Sequence, residues 1–204
     1  MSFLVYNYPT YHYVMEKENY LFDIDEVFNA FAQGIGLQIL RHEYIEGPEM
    51  CKGSLNLTRT LRNQAEGNDI WISLWDNNQQ QLAATTFDFA YNRNENRVVG
   101  INIKTFCSTT NAPPGSGTNL MFVIKSLATF MINNNRMIAY DNDDNSYIIL
   151  NPTENSLGFY QNNGFNYDAD NNICSFAIQV NQQNYQKKYL KYKQKYLNLK
   201  NKLN

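Results

Sequence analysis

Apolar residues recur at two different periods along this 204-residue chain, and the periods divide it into helices and strands. Ile24, Val27, Phe28 and Phe31 step by i, i+3, i+4 and i+7, one face of an amphipathic helix. Asp23 stands where its N-cap belongs, with Glu26 three residues on as the capping-box partner. Gly34 and Gly36 weaken the helix beyond that point. A second helix is expected over residues 54–65, with Leu55, Leu61 and Ala65 turned inward. Three strand-like runs follow, at residues 70–75, 81–91 and 97–107. The joins Asp76-Asn77-Asn78 and Asn92-Arg93-Asn94-Glu95-Asn96 are turn chemistry, so the three runs read as an antiparallel meander. Leu120, Val123, Ile124, Leu127 and Met131 then return to helical spacing, and residues 136–140 are expected to form a strand.

The last twenty residues carry a separate pattern. Tyr185, Tyr189, Tyr192, Tyr196, Leu199 and Leu203 step by alternating fours and threes among seven lysines. This predicts a basic amphipathic helix, too short for a secure coiled coil by itself. Packing on its own domain, a solvated tail, self-association or partner docking are all open to it. The chain therefore divides into a domain over 1–180 and a tail over 181–204. With 43% hydrophobic residues, the first part can bury a sizeable core. A net charge of −2 and a pI near 5.7 suggest no broad nucleic-acid footprint. No apolar run is long enough for a membrane span, and the N-terminus lacks the pattern of a secretory leader. A cytoplasmic protein is the expectation. Cys51, Cys107 and Cys174 are odd in number and far apart, which predicts reduced structural thiols and neither a disulfide framework nor a zinc site. Roughly one residue in seven is Asn, a bias first read as genomic, since Asn has A/T-rich codons.

Two short segments carry candidate chemistry. In Asn155-Ser156-Leu157-Gly158-Phe159-Tyr160-Gln161-Asn162-Asn163-Gly164-Phe165, a short helix would present a tyrosine hydroxyl and stop at a glycine able to take φ > 0. Upstream, Pro113-Pro114-Gly115-Ser116-Gly117-Thr118-Asn119-Leu120 leads from a strand into a helix. A G-x-G turn opening a helix leaves backbone N–H groups unpaired at the positive end of the helix dipole, a site suited to phosphate. Together, in this order, the two segments resemble the GCN5-related N-acetyltransferases (GNATs). The resemblance covers roughly residues 20–180, with only the two segments specific. It implies an α/β fold, a mixed central sheet flanked by helices, followed here by the C-terminal amphipathic helix. Similar Lys-Tyr-Leu tails are familiar from large DNA viruses, where the protein would sit in the host cytoplasm or the virion.

The resemblance also implies acetyl-CoA as co-substrate and an amine acceptor, a small molecule or a protein. Gly115, Ser116, Gly117, Thr118 and Asn119 would hold the pyrophosphate, Phe106 and Cys107 would line the pantetheine arm, and Asn155 would contribute from the later segment. Tyr160 falls where the family's tyrosine donates to the departing sulfur, against the plainer reading of one core aromatic among 15 tyrosines. Two positions depart from the family pattern: Ala112 replaces an Arg or Gln, and Thr153 replaces a frequent Asn. No general base is legible. The strand over 97–107 has no carboxylate; Asp88 and the cluster Asp141, Asp143, Asp144 are nearest in order, the cluster reading better as a polar turn. Cys107 lacks the nearby histidine a thioester mechanism would need, and His12 and His42 are too few for a metal cluster. Trp71 and Trp75 share a strand face and read as core. A non-catalytic acyl-CoA or protein-binding module of the same fold, or a virion-associated protein, are the alternatives to an enzyme.

Overall fold

The three runs of the meander build the centre of one mixed sheet. A computed structural model describes residues 3–7, 24–35, 38–41, 51, 54–66, 69–76, 78, 80–92, 97–140 and 145–179. In chain order the elements are β1 (Phe3–Asn7), α1 (Ile24–Ile35), β2 (Gln38–Arg41), α2 (Leu55–Glu66), β3 (Ile70–Trp75), β4 (Gln81–Asn92) and β5 (Arg97–Ser108). Then come α3 (Ser116–Asn133), β6 (Asn145–Leu150), a 3-10 turn (Glu154–Ser156), α4 (Leu157–Asn162), β7 (Asn166–Asp168) and β8 (Ile173–Gln179). Strand order is β2-β1-β3-β4-β5-β6-β8-β7. The pairs β1–β2 and β5–β6 are parallel and the others antiparallel.

Strand alternation divides the interior into two unequal layers. Ile72, Leu74, Ala83, Phe87, Phe89, Ile101 and Ile103 face the larger core, where α1 supplies Val27, Phe28 and Phe31. From α3 come Leu120, Met121, Ile124, Leu127 and Met131, and Phe31 meets Phe130 with ring centroids 5.9 Å apart. At roughly 25 cal/mol per Å² of apolar surface, this layer supplies most of the driving force for folding. The opposite face is smaller: Leu61 of α2 packs on Trp71, Ala84, Cys107 and Cys51, with Trp75 beside them. Both tryptophans belong to this core, as their shared strand face predicts.

The structure corrects the sequence reading in three places. Cys51 and Cys107, 56 residues apart, form a disulfide with Cα atoms 4.8 Å apart, and Cys174 alone remains a free, buried thiol. Spacing along the chain carries no information on this pairing, because the fold brings the entry to α2 over the end of β5. Residues 136–140 make only an isolated bridge, Val98 with Met137, and the ladder position beside β5 belongs to β6. The helix expected from Leu120 starts four residues earlier, at Ser116. Strands β1 and β2, unforeseen in the pattern, extend the sheet beyond β3. Asp23, the cluster at 141–144 and the tail over 181–204 lie outside the described residues, as do the side chains of Ile24, Leu55 and Ala65.

Candidate functional site

Parallel pairing between β5 and β6 runs from Gly100↔Tyr147 to Ile103↔Leu150 and then stops. Strand β5 continues to Ser108, held on its other side by β4 as far as Ala83↔Ser108. The edge of residues 104–108 that would face β6 thus has no strand partner among the described residues, a row of backbone donors and acceptors suited to an extended ligand. A bulge marks the point of divergence. Thr86 pairs with Thr105 and Phe87 with Ile103, leaving Lys104 as the extra residue. That shift brings Phe106 to the side of Ile103 and the larger core, while Cys107 turns to the opposite face and its disulfide.

The loop after β5 delivers the chain into α3. Gly115 is the N-cap with φ 90°, a left-handed conformation that a side chain would strain. Both the backbone N–H and the hydroxyl of Ser116 donate to the Pro113 carbonyl, at 3.1 and 2.8 Å. The Asn119 N–H donates to the Gly115 carbonyl at 2.9 Å. Between them, the N–H groups of Gly117 and Thr118 have no backbone acceptor among the described residues. The helix has no side-chain cap and no acidic residue in its first turn. Its 18 residues therefore end in uncapped donors with the positive end of the dipole behind them. An added Cβ on Gly117 would lie 3.4 Å from the Phe159 ring and 3.6 Å from that of Phe106, so the turn sits directly against the second segment.

That segment is framed by local hydrogen bonds. Thr153 and Ser156 form a capping box at its start, the Thr153 N–H donating to the Ser156 hydroxyl at 2.9 Å. At its end the Gly164 N–H donates to the Gln161 carbonyl (2.9 Å) and the Phe165 N–H to the Tyr160 carbonyl (3.1 Å), with Gly164 at φ 81°. This is a Schellman closure, and the accompanying apolar contact is Tyr160 against Phe165, centroids 5.8 Å apart. Tyr160 is 6% exposed, and its ring also meets Phe106 at 6.5 Å and Phe159 at 5.2 Å. Burial, reinforced by the neighbouring Cys174 thiol, pushes its phenol up to about 12. The Tyr160 hydroxyl has no hydrogen-bond partner among the described residues.

Phe106, Gly117, Phe159 and Tyr160 are thus brought into one cluster. Gly115, Thr118 and Asn119 lie exposed on the adjoining turn, Ser116 is buried beneath it, and Asn155 is exposed in the 3-10 turn. Cys107 contributes backbone only, its sulfur being committed to Cys51. Asp88 pairs with Lys104 at 3.0 Å across the bulge. Among the described residues no cluster of three or more His, Cys, Asp or Glu could hold a metal ion. Sequence reasoning missed the bulge at Lys104, Phe106's ring contact with Tyr160, and Lys125, whose ammonium lies under the end of α4. Only Lys125 had a signal, as a charge interrupting an apolar helix.

No protein-family model and no curated protein matches the chain. Solved structures do match. A chain of the KacTA–DNA complex aligns at a TM-score of 0.50 and 13% identity, over 73% of this chain and 92% of that one. Tetrahymena GCN5 aligns at 0.43 and 12%, over 76% and 86%, and AtaTR bound with acetyl-CoA at 0.36 and 16%, over 62% and 74%. At these identities the likeness is one of fold alone, and of the three the chain of the KacTA–DNA complex is the one whose TM-score reaches 0.50. No helix among the described residues is long and apolar enough to cross a membrane.

Proposed function

We propose that the protein is an acetyl-CoA-dependent N-acetyltransferase that acts on a primary amine of a small molecule or a protein. The observation that carries this reading is the convergence of three features on one cluster: the edge at 104–108, which no described strand pairs, the uncapped start of α3, and the Tyr160 phenol. The pantetheine amides would pair with the open β5 edge, as an added strand does. The pyrophosphate would accept from the N–H groups of the turn opened by Gly115 and Gly117. The acyl thioester would then lie beside Tyr160.

An amine attacking the thioester carbonyl expels a thiolate, and catalysis requires that this negative charge be stabilised. With its phenol at about 12, Tyr160 keeps its proton at neutral pH and can donate a hydrogen bond to the sulfur. An ordinary thiol, near 8.5, is the stronger acid. Complete transfer from Tyr160 is therefore uphill unless the phenolate regains a proton from the attacking ammonium. The role of the hydroxyl is to stabilise developing charge first and to pass a proton second.

A non-catalytic acyl-CoA-binding module is favoured by one feature: β5 carries no carboxylate, and Asp88 on its neighbour is paired with Lys104. Calorimetry with CoA and acetyl-CoA, followed by an amine panel scored for acetyl transfer, separates the readings. The enzyme reading expects binding and turnover, the module expects binding alone, and no binding removes both.

A further inference from the structure

Helices α3 and α4 carry the two halves of the candidate site, and two approaches between them bear on it. One is Gly117 against the Phe159 ring. The other lies eight residues along α3, about 12 Å at 1.5 Å per residue. There the Lys125 ammonium donates to the Asn163 carbonyl at the end of α4. The same ammonium sits 3.7 Å from the Phe176 ring centroid and 5.1 Å from that of Phe165. Phe165 and Phe176 pack on each other at 5.5 Å, and Phe165 packs on Tyr160 at 5.8 Å. The Schellman turn satisfies the carbonyls of Tyr160 and Gln161, and the Asn163 carbonyl goes to Lys125.

A lysine has a high cost in side-chain entropy and desolvation when held this way, and burial lowers the pKa of this one below the usual value. An apolar side chain would complete the packing of α3 without either cost. What the ammonium adds is a charged hydrogen bond to a helix C-terminus and a cation–π contact to the two rings beneath it. Both fix the turn whose third residue from the end is Tyr160.

We infer that Lys125 is a positioning residue for Tyr160: it locks the α4 turn to the helix that opens at Gly115, and so holds the phenol in register with the phosphate-binding turn. The catalytic consequence rests on the acetyltransferase reading; the positioning itself does not. In the locked state Tyr160 has one orientation between Phe106 and Phe165. Without the ammonium the Asn163 carbonyl loses its donor, the turn loosens, and the phenol samples several orientations.

The test places 3-fluorotyrosine at position 160 and reads its fluorine resonance at neutral pH in full-length protein. Wild type and Lys125→Arg are expected to give one narrow line. Lys125→Met keeps the apolar stem without the charge, and is expected to broaden or split the line. Lys125→Gln, a neutral donor, covers the case in which the methionine variant fails to fold. Where turnover is measurable, kcat should fall on the order of tenfold to a hundredfold with KM for acetyl-CoA nearly unchanged, as displacement of a reacting group predicts. Arginine should restore it. An unchanged fluorine line in folded Lys125→Met or Lys125→Gln would overturn the inference and leave Lys125 a packing residue. Absence of turnover in wild type alongside a broadened line would instead reject the acetyltransferase reading and keep the positioning role.

Discussion

Two glycines hold a similar positive φ in this protein and serve opposite ends. Gly115, at φ 90°, precedes a helix; Gly164, at φ 81°, follows one. At Gly164 the polar groups are matched: two backbone bonds close the turn, Lys125 takes a further carbonyl, and Phe165 covers the Tyr160 ring. At Gly115 they are not. Among the described residues no side chain caps α3, the next N–H groups lack backbone acceptors, and no atom beyond the adjoining residues lies within 4 Å of where a Cβ would sit. The closed turn makes a rigid mount for one phenol, and the open turn makes a receptor. Unpaired backbone groups are costly inside a protein and available at its surface, so incomplete pairing beside a groove is where a ligand is expected.

The strongest way to break this contrast is to remove what the closed turn presents. Tyr160→Phe should lower kcat by on the order of 10²–10⁴ while CoA affinity and melting temperature stay close to wild type. Wild-type turnover would mean another group stabilises the thiolate. Cys51→Ser releases Cys107, on the strand leading to the open turn, from a cross-link spanning 56 residues, and should cost about 2–4 kcal/mol in chemical denaturation. An equal midpoint with and without a thiol reductant in the wild-type protein would contradict it.

Gly117→Glu places a carboxylate where phosphate must approach and crowds Phe159, so CoA affinity should fall on the order of tenfold or more by calorimetry. The paired substitutions Gly115→Ala and Gly164→Ala sharpen the comparison most directly. Each forces a side chain into the left-handed region at about 1–2 kcal/mol. Only Gly115→Ala should also weaken CoA binding, and equal effects on CoA would erase the distinction between the turns. The mildest perturbation is pH. The Tyr160 phenol ionises near 10 when unfolded and near 12 when folded, so the folded state holds a proton that the unfolded state has lost between those values. The Tyr160 contribution is complete below pH 10 and falls as pH rises from about 10 to about 12. Tyr160→Phe should flatten that part of the stability curve.

Much of the sheet's centre was legible because its strands declare themselves locally. The run at 70–75 has the same bounds as β3, and those at 81–91 and 97–107 end one residue short of β4 and β5, since alternation and Asn-rich turns are short-range signals. Residues 136–140 show the limit. Their apolar content suits a strand, yet β6 takes the β5 edge from Gly100 onward, and residues 136–140 are left a single bridge, Met137 with Val98. Strand β2 has four residues, too few for a period to show.

The same division runs through the candidate site. Glycine at 115 and 164, a serine able to cap at 156, and a tyrosine one helical turn before a glycine are properties of the chain itself. They act through bonds spanning no more than five residues, so their geometry follows from sequence. Which groups would remain unpaired was decided elsewhere. Divergence of β5 from β6, rotation of Phe106 by the Lys104 bulge, closure of Cys51 on Cys107 and the reach of Lys125 to Asn163 each join residues far apart in sequence. No local period encodes such contacts. They arise because the two layers of side chains must close on both faces of one twisted sheet, and that requirement is met only by the folded whole.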